Sequence, residues 1–216
     1  FSRGGNRICY VHPQHVDRCL KIHRPERTPT IRRQSKPFPG SLRPLRYFDE
    51  NWGEAIQLKR FWEHYPEAIK KHLPRSYGTT ETNLGSAHET DLIRDMDGRI
   101  AQSLEQYIWE HGIDSIAQKA IQEFTQNWIT HPPKTRDLIP HNMVLQHTAT
   151  GSRIRLIDGL GRPPTFSFFS SPCKLSQSRA TKRIRDLENR LEMILKAKEQ
   201  QSPPPKYRLD GLNRNA

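Results

Sequence analysis

This sequence has few cysteines and no long apolar run, and these absences exclude several classes of protein. Only Cys9, Cys19 and Cys173 occur among 216 residues, and none forms a CxxC pair. An odd, unpaired set argues against a disulfide-stapled secreted domain. No run of about 18 apolar residues exists, and the opening FSRGGNR lacks the apolar core of a signal peptide. These absences predict a cytoplasmic chain without a membrane span.

Apolar residues are also few, at 33% of the chain, whereas there are 17 prolines. This balance predicts that part of the chain is loop or tail rather than packed core. A chain of 216 residues can form one domain or two small lobes, and it is too short for two unrelated large domains. The chain begins with Phe1 rather than Met, which predicts a trimmed N-terminus.

Zinc-binding patterns are absent from the sequence. The ten histidines form no HExxH motif, and no Cys/His spacing matches a structural zinc site. A structural zinc site is therefore not expected, and His141 is predicted to be an ordinary loop residue.

Positive charge, in contrast, is abundant and concentrated in two segments. The net charge is +12; residues 24–46 carry seven Lys or Arg against one acid, and residues 174–198 carry eight against three. Such charge predicts phosphate-bearing partners, from nucleotides to nucleic acid or an anionic membrane. Nucleic acid is possible but not favoured, because Phe38, Tyr47 and Phe48 are too few aromatic side chains in and beside 24–46 for a base-stacking surface.

Residue patterns predict mixed secondary structure along the chain. The β-rich runs RICYV and RCLKI flank a turn, and a mobile basic loop follows over 24–46. Apolar spacing from Leu58 to Tyr65 predicts a helix over about 50–71. Further predictions are a strand ending in a polar turn (87–98), helices (100–112 and 115–129), a hairpin (143–146 with 153–158), a helix (about 178–200) and a disordered tail (201–216).

The hairpin gives the loop TRDLIPHN at 135–142 a possible use. If its two strands pair antiparallel, Asn142 before the first strand lies beside Asp158 at the end of the second. Asp137 lies a few residues upstream in the same loop. Two carboxylates and a carboxamide oxygen are ligands suited to Mg²⁺, with room left for phosphate oxygens. The sequence therefore predicts a metal-nucleotide site at this end of the hairpin.

These residues also carry a family resemblance. RDLIPHN resembles the protein-kinase catalytic loop RDLKPEN at five of seven positions, and LIDGLG resembles the DFG segment. RCLKI resembles the strand that carries the nucleotide-anchoring lysine. The phrases GGNRICYVHP, CLKIHRP, LIRDMDG and RDLIPHN together resemble the bacterial PhoP regulatory network protein YrbL family, which has a kinase-like fold. The resemblance covers roughly residues 1–198.

The resemblance implies a role for each matching position. It makes Lys21 the ligand of the α- and β-phosphates and Asp137 the base or orienter for the attacking hydroxyl. Asn142 and Asp158 become the Mg²⁺ ligands. The residues Gly4 and Gly5 stand where a glycine-rich phosphate loop is expected. The partner of Lys21 is predicted to be Glu54, which shares a helical face with Leu58 and Phe61, in preference to Glu63.

The sequence departs from the kinase pattern at several positions. Thr135 replaces the histidine before Arg136, Gly159 replaces the phenylalanine after Asp158, and no APE-like element follows. Each site residue taken alone also fits a structural role, such as a turn or a solvated strand edge. One nucleotide site nevertheless explains all of them in the correct order.

The resulting prediction is an α+β fold of the small two-lobed protein-kinase-like type. Its N-lobe (1–93) has an antiparallel sheet and a helix, and its reduced, mainly helical C-lobe (94–200) precedes the tail (201–216). The predicted function is Mg-ATP binding and phosphate transfer to an unidentified acceptor, with ATP and Mg²⁺ as cofactors. Two alternatives are a noncatalytic nucleotide-sensing regulator of the same fold and polyanion binding through the basic segments.

Overall fold

The structure is a computed structural model that describes residues 1–133, 135, 138–160 and 173–202, with side chains from 176 onward in the last segment. It is a mixed α+β arrangement with two antiparallel sheets. The larger sheet has the strand order β1-β2-β3-β5-β4. Its strands are β1 (Ser2–Arg3), β2 (Arg7–Val11), β3 (Arg18–His23), β4 (Ser76–Thr82) and β5 (Gly85–Asp91).

A smaller sheet and most of the helices form the remainder of the molecule. The order of this sheet is β6-β7-β8, with strands β6 (Gln102–Ser103), β7 (Met143–Thr148) and β8 (Gly151–Leu156). The helices are α1 (Pro29–Gln34), α2 (Glu50–His64), α3 (Glu67–Lys70), α4 (Leu104–His111), α5 (Ser115–Thr130) and α6 (Cys173–Glu199).

One large apolar core joins the helices α2 to α6 to the β7–β8 hairpin. Phe124 and Trp128 of α5 stack with their ring centroids 4.6 Å apart, and both are fully buried. Leu58 and Phe61 of α2 belong to the same cluster, and so does Leu156 of β8. The larger sheet has only small apolar clusters of its own, such as the group formed by Leu20, Ile22 and Ala87.

The predicted strands β2 and β3 and the hairpin are confirmed, but the predicted helix over 50–71 is interrupted. It ends at His64, because Pro66 cannot donate a backbone hydrogen bond, and the short helix α3 follows. The predicted helix over 100–112 begins only at Leu104. Residues 102–103 pair with β7 instead, and the Ser103 side chain caps the helix by accepting from the Gln106 amide.

Two further differences concern segments without clear periodicity. The basic segment 24–46, treated as a loop, contains the short helix α1, whose first turn is capped by the Thr28 side chain. The sequence does not predict strand β4, because SYGTTET has little apolar alternation. β4 is an edge strand, and none of its residues is buried. Among the described residues, no helix combines the length and the apolar character needed to cross a bilayer.

Candidate functional site

Lys21 lies in the middle of β3, at the centre of the larger sheet. Its Cα pairs with that of Cys9 on β2 and with that of His88 on β5. Neighbouring strands on both sides remove the lysine from solvent, and it is only 6% exposed. A buried ammonium needs a compensating negative group, because desolvation of an isolated charge is costly.

The helix α2 supplies that negative group through Glu54. Asp49 caps the first turn of α2 by accepting from the amides of Asn51 and Trp52. The Asn51 side chain then donates to the Lys21 carbonyl over 3.0 Å, which fixes the helix against β3. Glu54, one turn further along the same face, forms an ion pair with the Lys21 ammonium.

The preference for Glu54 over Glu63 as the partner in this ion pair agrees with the geometry. Glu63 is half-exposed and lies 3.9 Å from Lys59 on the same helix. The helical spacing of apolar residues was sufficient to select Glu54, because Glu54 lies on the same face of α2 as the apolar residues that pack inward.

Arg7, at the start of β2, is a buried member of the site that sequence reasoning missed. Its guanidinium contacts Glu54 Oε2 at 2.5 Å and Asp158 Oδ1 at 2.9 Å. It also donates to Asn51 Oδ1 over 3.3 Å. Arg7 therefore links the sheet, α2 and the end of the β7–β8 hairpin.

The charges in this cluster stabilise one another's ionised forms. Burial alone would raise the pKa of Glu54, but Arg7 and Lys21 outweigh it and hold that pKa well below its usual range. Burial likewise opposes the charged forms of Arg7 and Lys21. Asp158 and Glu54 still raise the pKa of Arg7, and Glu54 raises the pKa of Lys21. These shifts favour the charged forms of Glu54, Arg7 and Lys21 at neutral pH.

His88 is the buried neutral neighbour of this cluster. Its Nδ1 lies 4.0 Å from Glu54 Oε1, and its Nε2 lies 2.8 Å from the Ser76 hydroxyl. Burial lowers the pKa of His88 to about 4, and the opposing effect of the Glu54 carboxylate does not cancel it. A neutral imidazole beside the ion pair adds no further charge to the site.

The end of the hairpin brings together two of the predicted metal ligands, as the strand register requires. Met143 pairs with Leu156, so Asn142 and Ile157 extend the ladder by one position, with the Ile157 amide donating to the Asn142 carbonyl over 2.8 Å. Lys21 Nζ donates to the Ile157 carbonyl, also over 2.8 Å. Lys21 therefore lies next to the backbone that carries Asp158.

The backbone after Asp158 fixes its carboxylate. Gly159 has a φ of +79°, a conformation that favours glycine, and its amide donates to Asp158 Oδ1 over 2.6 Å. The Asp158 side chain is 51% exposed and faces a cavity. One carboxylate oxygen therefore has two donors, Arg7 and Gly159.

The cavity between the larger sheet and the hairpin has a volume of about 800 Å³. It is lined by five of the predicted site residues: Gly4, Gly5, Lys21, Asn142 and Asp158. The glycine pair forms the turn between β1 and β2, closed by the Gly4 amide on the Arg7 carbonyl at 2.8 Å. Asp137, the predicted catalytic residue, lies outside the described residues.

The donor set around Asn142 and Asp158 is compatible with Mg²⁺. Among the described residues, no three His, Cys, Asp or Glu side chains are grouped so that they could hold a metal by themselves. Mg²⁺ in nucleotide sites needs no such cage, because one or two carboxylates and the phosphates complete its coordination. Asn142 and Asp158 are the residues that would hold it.

Comparison with known proteins identifies the family. The sequence profile described as PhoP regulatory network protein YrbL matches residues 1–192. The chain belongs to this YrbL family. It is 26% identical over 197 residues to the YrbL proteins of Escherichia coli (strain K12) and Shigella flexneri, covering 85% of this chain and 82% of each relative.

A solved structure of the protein WbdD is also similar to this YrbL-family chain. The TM-score is 0.44 at 14% sequence identity, and the match covers 85% of this chain. The chain spans only about a third of the WbdD chain, 35% of its length. A similarity of this size does not decide the fold.

Sequence reasoning missed Arg7 because an arginine at a strand start is usually solvated. Alternation along β2 does place Arg7 on the same face as Cys9, and Cys9 pairs with Lys21. That signal could have indicated that Arg7 faces the lysine. It could not have indicated contact with Asp158, which lies 151 positions away in the chain.

Proposed function

We propose that this protein binds Mg-ATP in the cavity between the larger sheet and the hairpin and transfers a phosphate to an acceptor, within a two-lobed kinase-like arrangement. The observation that carries the proposal is the buried Lys21–Glu54 ion pair facing Asp158. A lysine on a central strand, a glutamate on an adjoining helix and an acidic residue after a hairpin are the recurring parts of kinase sites.

The cluster would position a triphosphate by charge and geometry. Glu54 and the Ile157 carbonyl hold the Lys21 ammonium at the cavity wall, where it can contact phosphate oxygens. The backbone turn at Gly4 and Gly5 borders the same space and leaves room for phosphates. Mg²⁺, when bound by Asn142 and Asp158, would neutralise the charge on the phosphates.

Asp137 is the proposed orienter of the acceptor hydroxyl. Asp137→Asn keeps the size of the side chain but removes its charge, so turnover should fall by a large factor with little change in Mg-ATP affinity. Equal losses of turnover and affinity would assign Asp137 to the fold of the loop instead.

The decisive experiment distinguishes nucleotide binding at this site from non-specific binding caused by the high net positive charge of the protein. Isothermal titration with Mg-ATP should detect binding to the wild type and a loss of at least about tenfold for Lys21→Ala. Lys36→Ala is the matched control, since it removes the same charge from an exposed position in the basic segment. Equal weakening by both substitutions, or no binding to the wild type, would overturn the proposal.

One observation favours the alternative of a noncatalytic nucleotide sensor. Arg7 already places a permanent cation on Asp158, where a catalytic site needs a metal. A sensor predicts ATP binding that hardly depends on Mg²⁺, together with no phosphate transfer. Titrations with and without Mg²⁺, and an incubation of labelled ATP with metabolite pools, distinguish the two functions.

A further inference from the structure

Two of the three cysteines lie side by side on the cavity face of the larger sheet. In the strand register, Cys9 of β2 is opposite Lys21, and Cys19 of β3 is opposite Val11. Side chains alternate between the faces of a sheet, so Cys9, Cys19 and Lys21 share one face. The two thiols are therefore diagonal neighbours, directly beside the nucleotide-anchoring lysine.

The two thiols differ in how accessible they are from the cavity. Both cysteines line the cavity and belong to one apolar cluster with Leu92 and Ile100. Cys9 is partly exposed, whereas Cys19 is only 3% exposed. A small reagent in the cavity therefore reaches Cys9 more easily than Cys19.

The pKa values of the two thiols also differ. The hydrogen bond with Cys19, assisted by the charges of Lys21 and Arg7, lowers the pKa of Cys9 to about 7. The same hydrogen bond, together with burial, raises the pKa of Cys19. Thiolates, not thiols, attack oxidants, so Cys9 is the more reactive of the two.

We propose that Cys9 and Cys19 form an oxidisable dithiol, in which Cys9 reacts first with a hydroperoxide and Cys19 then closes an intramolecular disulfide. The geometry assigns the order: Cys9 is open to the cavity, and the buried Cys19 is its diagonal neighbour in the sheet. Cys173 takes no part in this reaction.

The reaction proceeds in two balanced steps. The Cys9 thiolate attacks a hydroperoxide oxygen, so that an S–O bond forms, the O–O bond breaks, and an alcohol or water leaves after protonation. The Cys19 sulfur then attacks the Cys9 sulfenic sulfur, which forms the S–S bond and releases water. The protein loses two hydrogen atoms, and the hydroperoxide is reduced.

The disulfide would change the position of Lys21. Diagonal neighbours in a sheet lie about 7–8 Å apart, whereas disulfide-linked Cα atoms lie about 4.4–6.8 Å apart. Because β2 and β3 are already hydrogen-bonded, closure shifts the two strands along each other at the lysine and produces a strained, easily reduced bond. This consequence rests on the proposed function, because it predicts that oxidation weakens nucleotide binding.

The first experiment tests the disulfide alone. Purified protein is treated with hydrogen peroxide, free thiols are alkylated, and trypsin digestion is followed by mass spectrometry. Trypsin cuts after Arg7, Arg18 and Lys21, so the disulfide joins peptide 8–18 to peptide 19–21. The linked pair should appear with peroxide and vanish with dithiothreitol. Its absence, or a link from either peptide to Cys173, would overturn the proposal.

Single substitutions test the order of reaction. In Cys19→Ser, Cys9 should stop at the sulfenic acid and be trapped by dimedone. In Cys9→Ser, Cys19 should resist the same dose of peroxide. Cys173→Ser is the matched control and should form the disulfide like the wild type. Equal dimedone labelling of Cys9 and Cys19 would contradict the assigned order. The wild-type mapping remains valid even if a variant fails to fold.

The second experiment measures Mg-ATP affinity before and after oxidation. Oxidised wild type should bind at least about threefold more weakly than reduced protein, with recovery in dithiothreitol. Cys9→Ser should show no change with peroxide. Disulfide formation without any Mg-ATP binding in the reduced protein would refute only the proposed function; unchanged affinity after complete oxidation would refute the link to Lys21.

Discussion

The two sheets of this protein are buried in different ways. Around the β7–β8 hairpin, the interior is one continuous apolar core of side chains from α2, α4, α5 and α6. Around β2, β3 and β5, the interior contains charge, including Arg7, Lys21 and Glu54, each 5–6% exposed. Burial of apolar side chains stabilises the fold without requiring a particular orientation, whereas a buried charge must have an oppositely charged partner in hydrogen-bonding geometry.

This contrast suggests a division of roles. The apolar region anchors the hairpin end that carries Asn142 and Asp158, and the charged region holds the lysine opposite. Buried ion pairs are weak evidence of stability, because desolvation offsets much of their attraction. Their presence here is better explained by the ligand proposed for the cavity.

The largest effect is expected from opening a hole in the apolar region. Phe124→Ala should lower the free energy of unfolding by about 4 kcal/mol, because a fully buried ring leaves a cavity between Trp128 and His72. Urea unfolding measures the change. Met193→Ala, at a position 68% exposed, is the control and should change stability by less than about 0.5 kcal/mol.

A smaller loss is expected from breaking the charged region. Glu54→Gln should cost about 3 kcal/mol, because the buried Lys21 then loses its carboxylate partner and Arg7 keeps only the half-exposed Asp158 as a close one. Glu63→Gln on the exposed side of the same helix should be close to neutral. Similar unfolding curves for the two variants would mean that the buried cluster contributes no more than a surface pair.

Acidification should destabilise the protein through the buried histidines of both regions. His72 donates from Nδ1 to the Ile154 carbonyl at 2.7 Å, and burial lowers its pKa from 6.5 to about 4. His88 has the same shift, also mainly from burial. Between pH 6.5 and about 4, both histidines are protonated in the unfolded chain but neutral in the folded chain. The free energy of unfolding therefore falls as the pH drops below 6.5.

Protonation of each buried histidine should lower the free energy of unfolding of the protein by on the order of 1–2 kcal/mol between pH 7 and pH 5. Urea unfolding at both pH values measures this loss, and His72→Gln should reduce it. The exposed His64→Gln should leave the pH dependence unchanged. An identical pH dependence in wild type and His72→Gln would contradict a neutral buried His72.

The smallest effect on stability, but a large one on binding, is expected at the border between the regions. Asp158→Ala should change the unfolding free energy by less than about 1 kcal/mol, because its side chain is half-exposed. The dependence of ATP affinity on Mg²⁺ should be lost. Asp97→Ala, which removes a similarly exposed acid paired with Arg99, should retain that dependence.

Local patterns were sufficient for the elements whose partners are close in the chain. The hairpin and the approach of Asn142 to Asp158 follow from two β-rich runs and a glycine-containing turn. The apolar face of α2 also selected Glu54 over Glu63. The lobe boundaries, the disordered tail, the cytoplasmic location and the nucleic-acid alternative stay predictions.

The sequence by itself determined the family through its motifs. It also determined the β2–β3 pair, the hairpin and the main helices, because these elements depend on contacts between neighbours in the chain. Only the tertiary structure decided that Arg7 joins Glu54 to Asp158, that His88 borders the ion pair, and that Cys9 and Cys19 face the cavity. Each of these depends on where distant segments pack. A buried charge has no sequence pattern of its own, because its stability comes from partners that the chain brings together only on folding.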